Sequence, residues 1–394
     1  MRQPKDAAVL GAARQRDFAD IVARSHVIVC TGSGGVGKTT TAAALAVAAA
    51  RQGRRTIVLT IDPARRLAQS LGLSALDNDP RPVTGVDGLD AMMLDMKRTF
   101  DETIERYAES AEIVRRITAN RFYQQLSSSL AGTQEYMAME KLYDLHSTGR
   151  YDCIVVDTPP TRNALDFLDA PRKLTDFLEG RFLRMFLAPG VAAGKVATRA
   201  VGFGTGLFMR AAGRITGASV LHDLGEFFQS FESMYEGFKQ RAQSVYRLLG
   251  SPGAAFVVVA SPEPPALREA RFFLLRLAQD GMPTAGLVVN RVSPPLSALD
   301  GVSEQQLVAT ADTFAGSGPE DQAVSTLLRL ALEERRDARR QQRAIAASLH
   351  QLDPRVLVEV PQLPGDVHDL SGLEAVGAAL MGRNGDAAAD GSGP

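Results

Sequence analysis

The chain has 394 residues, 45% hydrophobic and 23% charged, enough apolar material for one large core or two ordinary ones and inconsistent with global disorder. Its 44 lysines and arginines nearly balance 45 aspartates and glutamates, so a formal net charge of −1 excludes a global field that would hold nucleic acid or an anionic membrane. The longest apolar stretch, residues 187–209, is interrupted by Lys195 and Arg199 and falls short of the roughly 18 unbroken apolar residues of a membrane span.

In chain order, residues 1–23 read as an N-terminal extension without a leader-like apolar region, which together with only two cysteines points to the cytoplasm. Seven short apolar runs then read as buried parallel strands: 27–31, 56–61, 89–94, 153–157, 255–260, 286–290 and 356–360. Helix-length segments of mixed polarity separate most of them, the pattern of an α/β, doubly wound, mostly parallel sheet. Cys30 and Cys153 sit beside β-branched runs and read as strand-core residues, not as a disulfide or metal pair. The gap from 158 to 254 is too long for one crossover helix, which predicts a helical insertion over about 165–250. Residues 304–350 have helical composition, and their basic run reads as a solvated helix face. Residues 381–394 have nothing to bury and read as a disordered tail, leaving one domain over 24–380.

The first strand runs into Gly32-Ser33-Gly34-Gly35-Val36-Gly37-Lys38-Thr39, which fits G-x-x-x-x-G-K-[ST] and is followed by an alanine-rich helix. Glycines let successive backbone N–H groups turn inward around an anion, and the helix N-terminus adds partial positive charge. Gly34, Gly35, Val36, Gly37, Lys38, Thr39 and Thr40 are therefore expected to contact a polyphosphate, with Lys38 reaching the β and γ phosphates and Thr39 holding Mg²⁺. Asp157 closes the strand "CIVVD", where a carboxylate orients Mg²⁺ through water. Asp62 closes "LTID" before Pro63, which keeps it extended; it reads either as the group that orients or deprotonates an attacking water, or as the cap of the next helix.

Taken together, "GSGGVGKTT", "DPARRLAQSLG", "VVDTPPTRNALDFL", "SPEPPALREA", "LVVNR" and "VPQLPGD" resemble the ArsA-type family, the arsenite-pump ATPases and the ATPases that carry tail-anchored membrane proteins. The resemblance covers roughly residues 24–380. It implies a P-loop ATPase using ATP and Mg²⁺, working as a dimer whose nucleotide sites face each other. It further implies Asp62 as the switch I aspartate that activates water, Asp157 as the switch II aspartate at Mg²⁺, and Asn290 as the asparagine that recognises adenine. Pro361, Leu363 and Pro364 are implied to line the base.

Three departures from that pattern stand out. The family's loop usually carries a lysine where Ser33 stands, and that lysine crosses the dimer interface to the partner's phosphates. Arg162-Asn163 replaces the Gly-His that follows Pro-Thr in many members. The cysteines that bind zinc or arsenite in relatives are missing, so neither site is expected here.

Without a lysine at 33, three arrangements remain: a mixed dimer with a lysine-bearing paralogue, a homodimer in which Arg65, Arg66 or Arg162 substitutes, or a slow nucleotide-gated switch. Residues 181–220 carry six basic and no acidic residues among many large apolar ones, and read as ordinary core or as a surface for a hydrophobic client or membrane partner. Met92, Met93, Met96, Met137 and Met139 are open to the same two readings. The expected function is ATP hydrolysis that opens and closes a dimer to handle a client or drive transport, with a chaperone or targeting module as the alternative and nucleic acid excluded as partner.

Overall fold

The computed structural model describes residues 18–62, 66–121, 133–159, 236–294, 299–316, 318–349 and 357–382, with Tyr123, Gln124, Ser127, Phe227, Ser230, Met234 and Leu296 between them. All seven apolar runs form strands: β1 (Val27–Gly32), β2 (Thr56–Thr60), β4 (Leu89–Met93), β5 (Cys153–Asp157), β6 (Ala254–Ala260), β7 (Thr284–Val292) and β8 (Leu357–Pro361). An eighth, β3 (Arg81–Pro82), is a two-residue edge strand and, among the described residues, the one antiparallel pairing. Its proline suits an edge, where a missing N–H costs no ladder bond. The strand order is β3-β4-β2-β5-β1-β6-β7-β8.

The helices are α1 (Phe18–Arg24), α2 (Lys38–Arg51), α3 (Arg66–Ser70), α4 (Met96–Tyr107), α5 (Ala111–Ala119), α6 (Thr133–Ser147), α7 (residues 236–249), α8 (Pro264–Gln279), α9 (Glu304–Phe314), α10 (Pro319–Leu349) and α11 (Leu370–Leu380). They cover both faces of the sheet, so the strands other than β3 feed two cores. Along β1, Val27 and Val29 enter one core, with Phe100, Tyr136, Phe238 and Phe273 from α4, α6, α7 and α8. Ile28 and Cys30 enter the other, packed with the alanines of α2 and with α1, α3 and α11. This two-sided burial explains why the strands read as unbroken apolar runs, without alternation. It also places both cysteines in the strand core as expected, since Cys30 and Cys153 are fully buried.

Alanine in α2 permits close packing. Ala42, Ala43, Ala44, Ala46 and Ala49 are fully buried, and at Gly377 of α11 an added Cβ would stand only 3.5 Å from the Ala44 carbonyl oxygen. Helix α2, which starts at the glycine-rich loop, is thereby held between the sheet and α11.

The 304–350 segment holds two helices, α9 ending at Phe314 and α10 beginning at Pro319. Its basic run faces solvent, with Arg336 and Arg339 paired to Glu304 at 3.1 and 2.9 Å. Met92, Met137 and Met139 are buried, so of their two readings core packing is the one the structure takes. Residues 1–17, the 181–220 stretch with its client reading, Arg162-Asn163, and 383–394 lie outside the described residues. Among the described residues no helix is long and apolar enough to cross a membrane.

Candidate functional site

Parallel pairing brings the carboxyl ends of β1, β2 and β5 to one edge, with Asp157 opposite both Cys30 and Thr60. Strand β1 leaves the sheet at Gly32, where a Cβ would fall 2.1 Å from the Val259 carbonyl oxygen of β6, so no larger residue fits. Gly35 and Gly37 take left-handed conformations, φ 79° and 95°. The tip of the loop, Gly34 and Gly35, is exposed, while Val36 is buried beneath it. Helix α2 then begins at Lys38 with no side-chain cap and no acidic residue in its first turn. By contrast α4, α9 and α11 are capped by Asp95, Ser303 and Asp369. The uncapped N–H groups and the positive end of the helix dipole are therefore left for an anion seated in the loop.

Gly37 is constrained twice, by its φ and by Asn290, whose Nδ2 would lie 2.1 Å from an added Cβ. Gly37→Ala is expected to lose about 1–3 kcal/mol of stability from backbone strain and, by displacing Asn290, to weaken nucleotide binding. Urea unfolding and equilibrium binding of the variant check both.

Lys38 is 6% exposed, and its Nζ donates to the Ser33 carbonyl oxygen at 2.8 Å, closing the loop on itself. Burial pulls the Lys38 ammonium below its ordinary range, opposed by the carboxylates of Asp157 and Asp62. Thr39 Oγ1 and Thr60 Oγ1 both donate to Asp157 Oδ2, at 2.8 and 2.9 Å. The other oxygen, Oδ1, is buried without a hydrogen-bond partner among the described residues. Burial pushes the Asp157 carboxyl up to about 6, although Thr39, Thr60 and Lys38 all pull it down. A buried carboxylate oxygen with no donor, next to a threonine hydroxyl at a phosphate cradle, is the donor set of a hydrated divalent cation. The residues present fit Mg²⁺.

The same burial makes a charged Asp157 costly to the fold. Its folded pKa of about 6 stands above the ordinary 3.8, so the penalty is absent below pH ~4, grows as pH rises, and is fully present above pH ~6. That difference corresponds to about 3 kcal/mol. Asp157→Asn is expected to stabilise the protein by up to that amount at neutral pH, with no gain in acid, while weakening binding of a divalent cation. Unfolding curves at two pH values, set beside cation binding, test the trade.

Asp62 follows β2 and is held by its backbone. Its N–H donates to Thr60 Oγ1 at 3.2 Å, the Ile61 N–H donates to the Asp157 carbonyl oxygen at 3.0 Å, and Gln134 Nε2 donates to the Ile61 carbonyl oxygen at 2.8 Å. The half-buried Asp62 carboxylate lies close enough to act electrostatically on Lys38 and Asp157. Pro63 and Arg65 lie outside the described residues, and Arg66 is exposed at the start of α3. After β5, Thr158 Oγ1 donates to the Cys30 carbonyl oxygen at 2.8 Å, tying that exit to the base of the loop.

The third side of the site comes from β7 and β8. Asn290 is 7% exposed, and its Nδ2 donates to the Val36 carbonyl oxygen at 3.0 Å, which joins the end of β7 to the loop. Asn290 pairs with Val360 and Val292 with Pro361, and the Gln362 N–H donates to the Val292 carbonyl oxygen at 2.8 Å. Pro361 thus adjoins the Asn290 strand end, whereas Leu363 packs on the second core and Pro364 is exposed. Sequence reasoning missed Thr60, Gln134 and Arg291. Thr60, a polar residue ending an apolar strand two positions before Asp62, carried the only signal.

A parallel sheet with a glycine-rich loop between its central strand and a helix, a lysine at the head of that helix and a carboxylate at the tip of the adjacent strand defines a P-loop nucleoside triphosphatase. Within that class, residues 25–300 match the family model of the ArsA-type anion-transporting ATPases, and the chain belongs to that family. It is similar to an uncharacterized protein of Streptomyces coelicolor, 30% identical over 270 residues that cover 68% of this chain and 63% of the relative. It is also similar to the ATPase GET3 of Malassezia globosa, 25% identical over 68% of this chain and 73% of the relative. An arsenical pump-driving ATPase of Acidiphilium multivorum is 33% identical over 38% of this chain and 26% of its own length. The match spans less than two thirds of the first and third of these relatives.

Proposed function

We propose that the chain is a Mg²⁺-dependent ATPase whose nucleotide state opens and closes a dimer. The observation that carries this reading is the orphaned Oδ1 of Asp157, set beside Thr39 and below an open, uncapped cradle. Backbone N–H groups of residues 34–40 bind the phosphates, and Lys38 exchanges the Ser33 carbonyl for β and γ oxygens. Thr39 and Asp157 hold Mg²⁺, which when bound offsets charge on those oxygens. Asp62 orients a water and takes its proton as the water oxygen bonds to the γ phosphorus. The bond from that phosphorus to the β–γ bridging oxygen breaks, and ADP and phosphate leave. Asn290, with its remaining amide N–H and oxygen, reads the adenine edge, and Pro361 with the backbone through Pro364 borders the base.

Ser33 supplies no cation for the partner's phosphates. We favour a mixed dimer with a lysine-bearing paralogue over a homodimer using Arg65, Arg66 or Arg162. One relative is an arsenical pump-driving ATPase, which supports a membrane transport partner here, with a hydrophobic client as the alternative, the chain acting from the cytoplasm or peripherally at a membrane. Balanced charge supports a partner other than nucleic acid. Phosphate release from ATP is expected to require Mg²⁺ and to be slow for the isolated chain; hydrolysis indifferent to chelation contradicts the metal role. Native mass spectrometry of the complex isolated from cells tests the partner, with a second, paralogous chain as the expected result and a homodimer as the opposing one.

A further inference from the structure

Arg291 is the sole non-glycine residue with positive φ among the described residues, at 62°. It is also where the β7–β8 register shifts, between Asn290 and Val292, so it is the extra residue of a bulge. In a regular strand neighbouring side chains point to opposite faces. Here the left-handed turn sends two successive side chains to two successive carbonyls of the loop: Asn290 Nδ2 to Val36 at 3.0 Å, and Arg291 Nη1 to within 3.5 Å of Gly35. A conformation this unfavourable for arginine persists where the surrounding structure holds it, and such positions concentrate at ligand sites. The guanidinium is exposed, and no carboxylate pairs with it among the described residues. Held within hydrogen-bond reach of the loop tip at Gly35, it lies next in sequence to Asn290, on the strand end that pairs with Val360 and Pro361.

We infer that Arg291 is a nucleotide-contacting residue whose guanidinium stacks on the base, a purine held edge-on by Asn290. This rests on the ATP-binding reading above and adds a residue to it. A planar cation over an aromatic ring gains both electrostatic and stacking attraction, which lysine reproduces poorly. Stacking adds affinity for the base and none for phosphate, so the two ligand parts separate the roles.

The test is equilibrium binding of Mg·ADP and of Mg·tripolyphosphate to wild type, Arg291→Ala, Arg291→Lys and Arg291→Gly. Arg291→Ala is expected to bind ADP roughly tenfold more weakly with tripolyphosphate affinity unchanged, and Arg291→Lys to recover only part of the loss. Arg291→Gly relieves the backbone, so it should melt no lower than wild type yet lose the same ADP affinity. Equal loss for both ligands, or full ADP affinity in all three variants, overturns the inference. Wild-type protein that binds neither ligand removes the ATPase proposal itself, a result distinct from either of those.

Discussion

Asp62→Asn is expected to lower ATP hydrolysis by roughly 10²–10⁴, the range of a lost general base, while Mg·ATP stays bound. The substitution keeps the side-chain volume and leaves untouched the backbone bonds that fix the segment, from Asp62 to Thr60, from Ile61 to Asp157 and from Gln134 to Ile61. What it removes is a negative charge. That charge favours the ionised Lys38 and raises the Asp157 pKa, so its loss eases ionisation of Asp157 and does not impede entry of an anionic nucleotide. Single-turnover phosphate release, read beside retention of labelled ATP, separates the two steps. Unchanged turnover would remove Asp62 from the catalytic role.

Ser33→Lys is expected to raise turnover of the isolated chain by as much as ~10³, the lower end of what a cation delivered in trans contributes to phosphoryl transfer. The gain should depend on protein concentration, because the new ammonium acts on the neighbouring protomer's phosphates. A mixing experiment isolates the geometry. Ser33→Lys combined with Lys38→Ala provides the crossing lysine but a disabled cradle, and wild type provides an intact cradle without the lysine. Each alone should be slow and the mixture faster than either. Brisk hydrolysis by unmixed wild type eliminates the mixed dimer as a requirement and transfers the role to an arginine of the same chain.

The parts of this molecule legible in its sequence are those built from contiguous residues. Strands buried on both faces read as apolar runs, and all seven formed with ends within two residues of the runs, whereas β3, two exposed residues including Pro82, carried no pattern. The cradle was legible because strand, glycines, lysine and helix follow one another from Val27 to Arg51. Asp62 and Asp157 were legible because parallel topology sends the carboxyl ends of β1, β2 and β5 to one edge. The bonds that hold those groups were not, since Thr60 and Gln134 meet them through strand pairing and helix docking. Arg291 was hidden by a bulge, which a strand-like sequence does not announce. Met92, Met137 and Met139 show the converse limit: composition suggested pliable surface, and only the packing of β4 and α6 decides which face they take.

If residues 32–39 wrap a polyphosphate with Lys38 as its charged anchor, calorimetric titration of Mg·ATP gives saturable binding, one nucleotide per chain, for wild type and none for Lys38→Ala. No heat from wild type, or equal binding by both, would show that the loop is not a phosphate cradle.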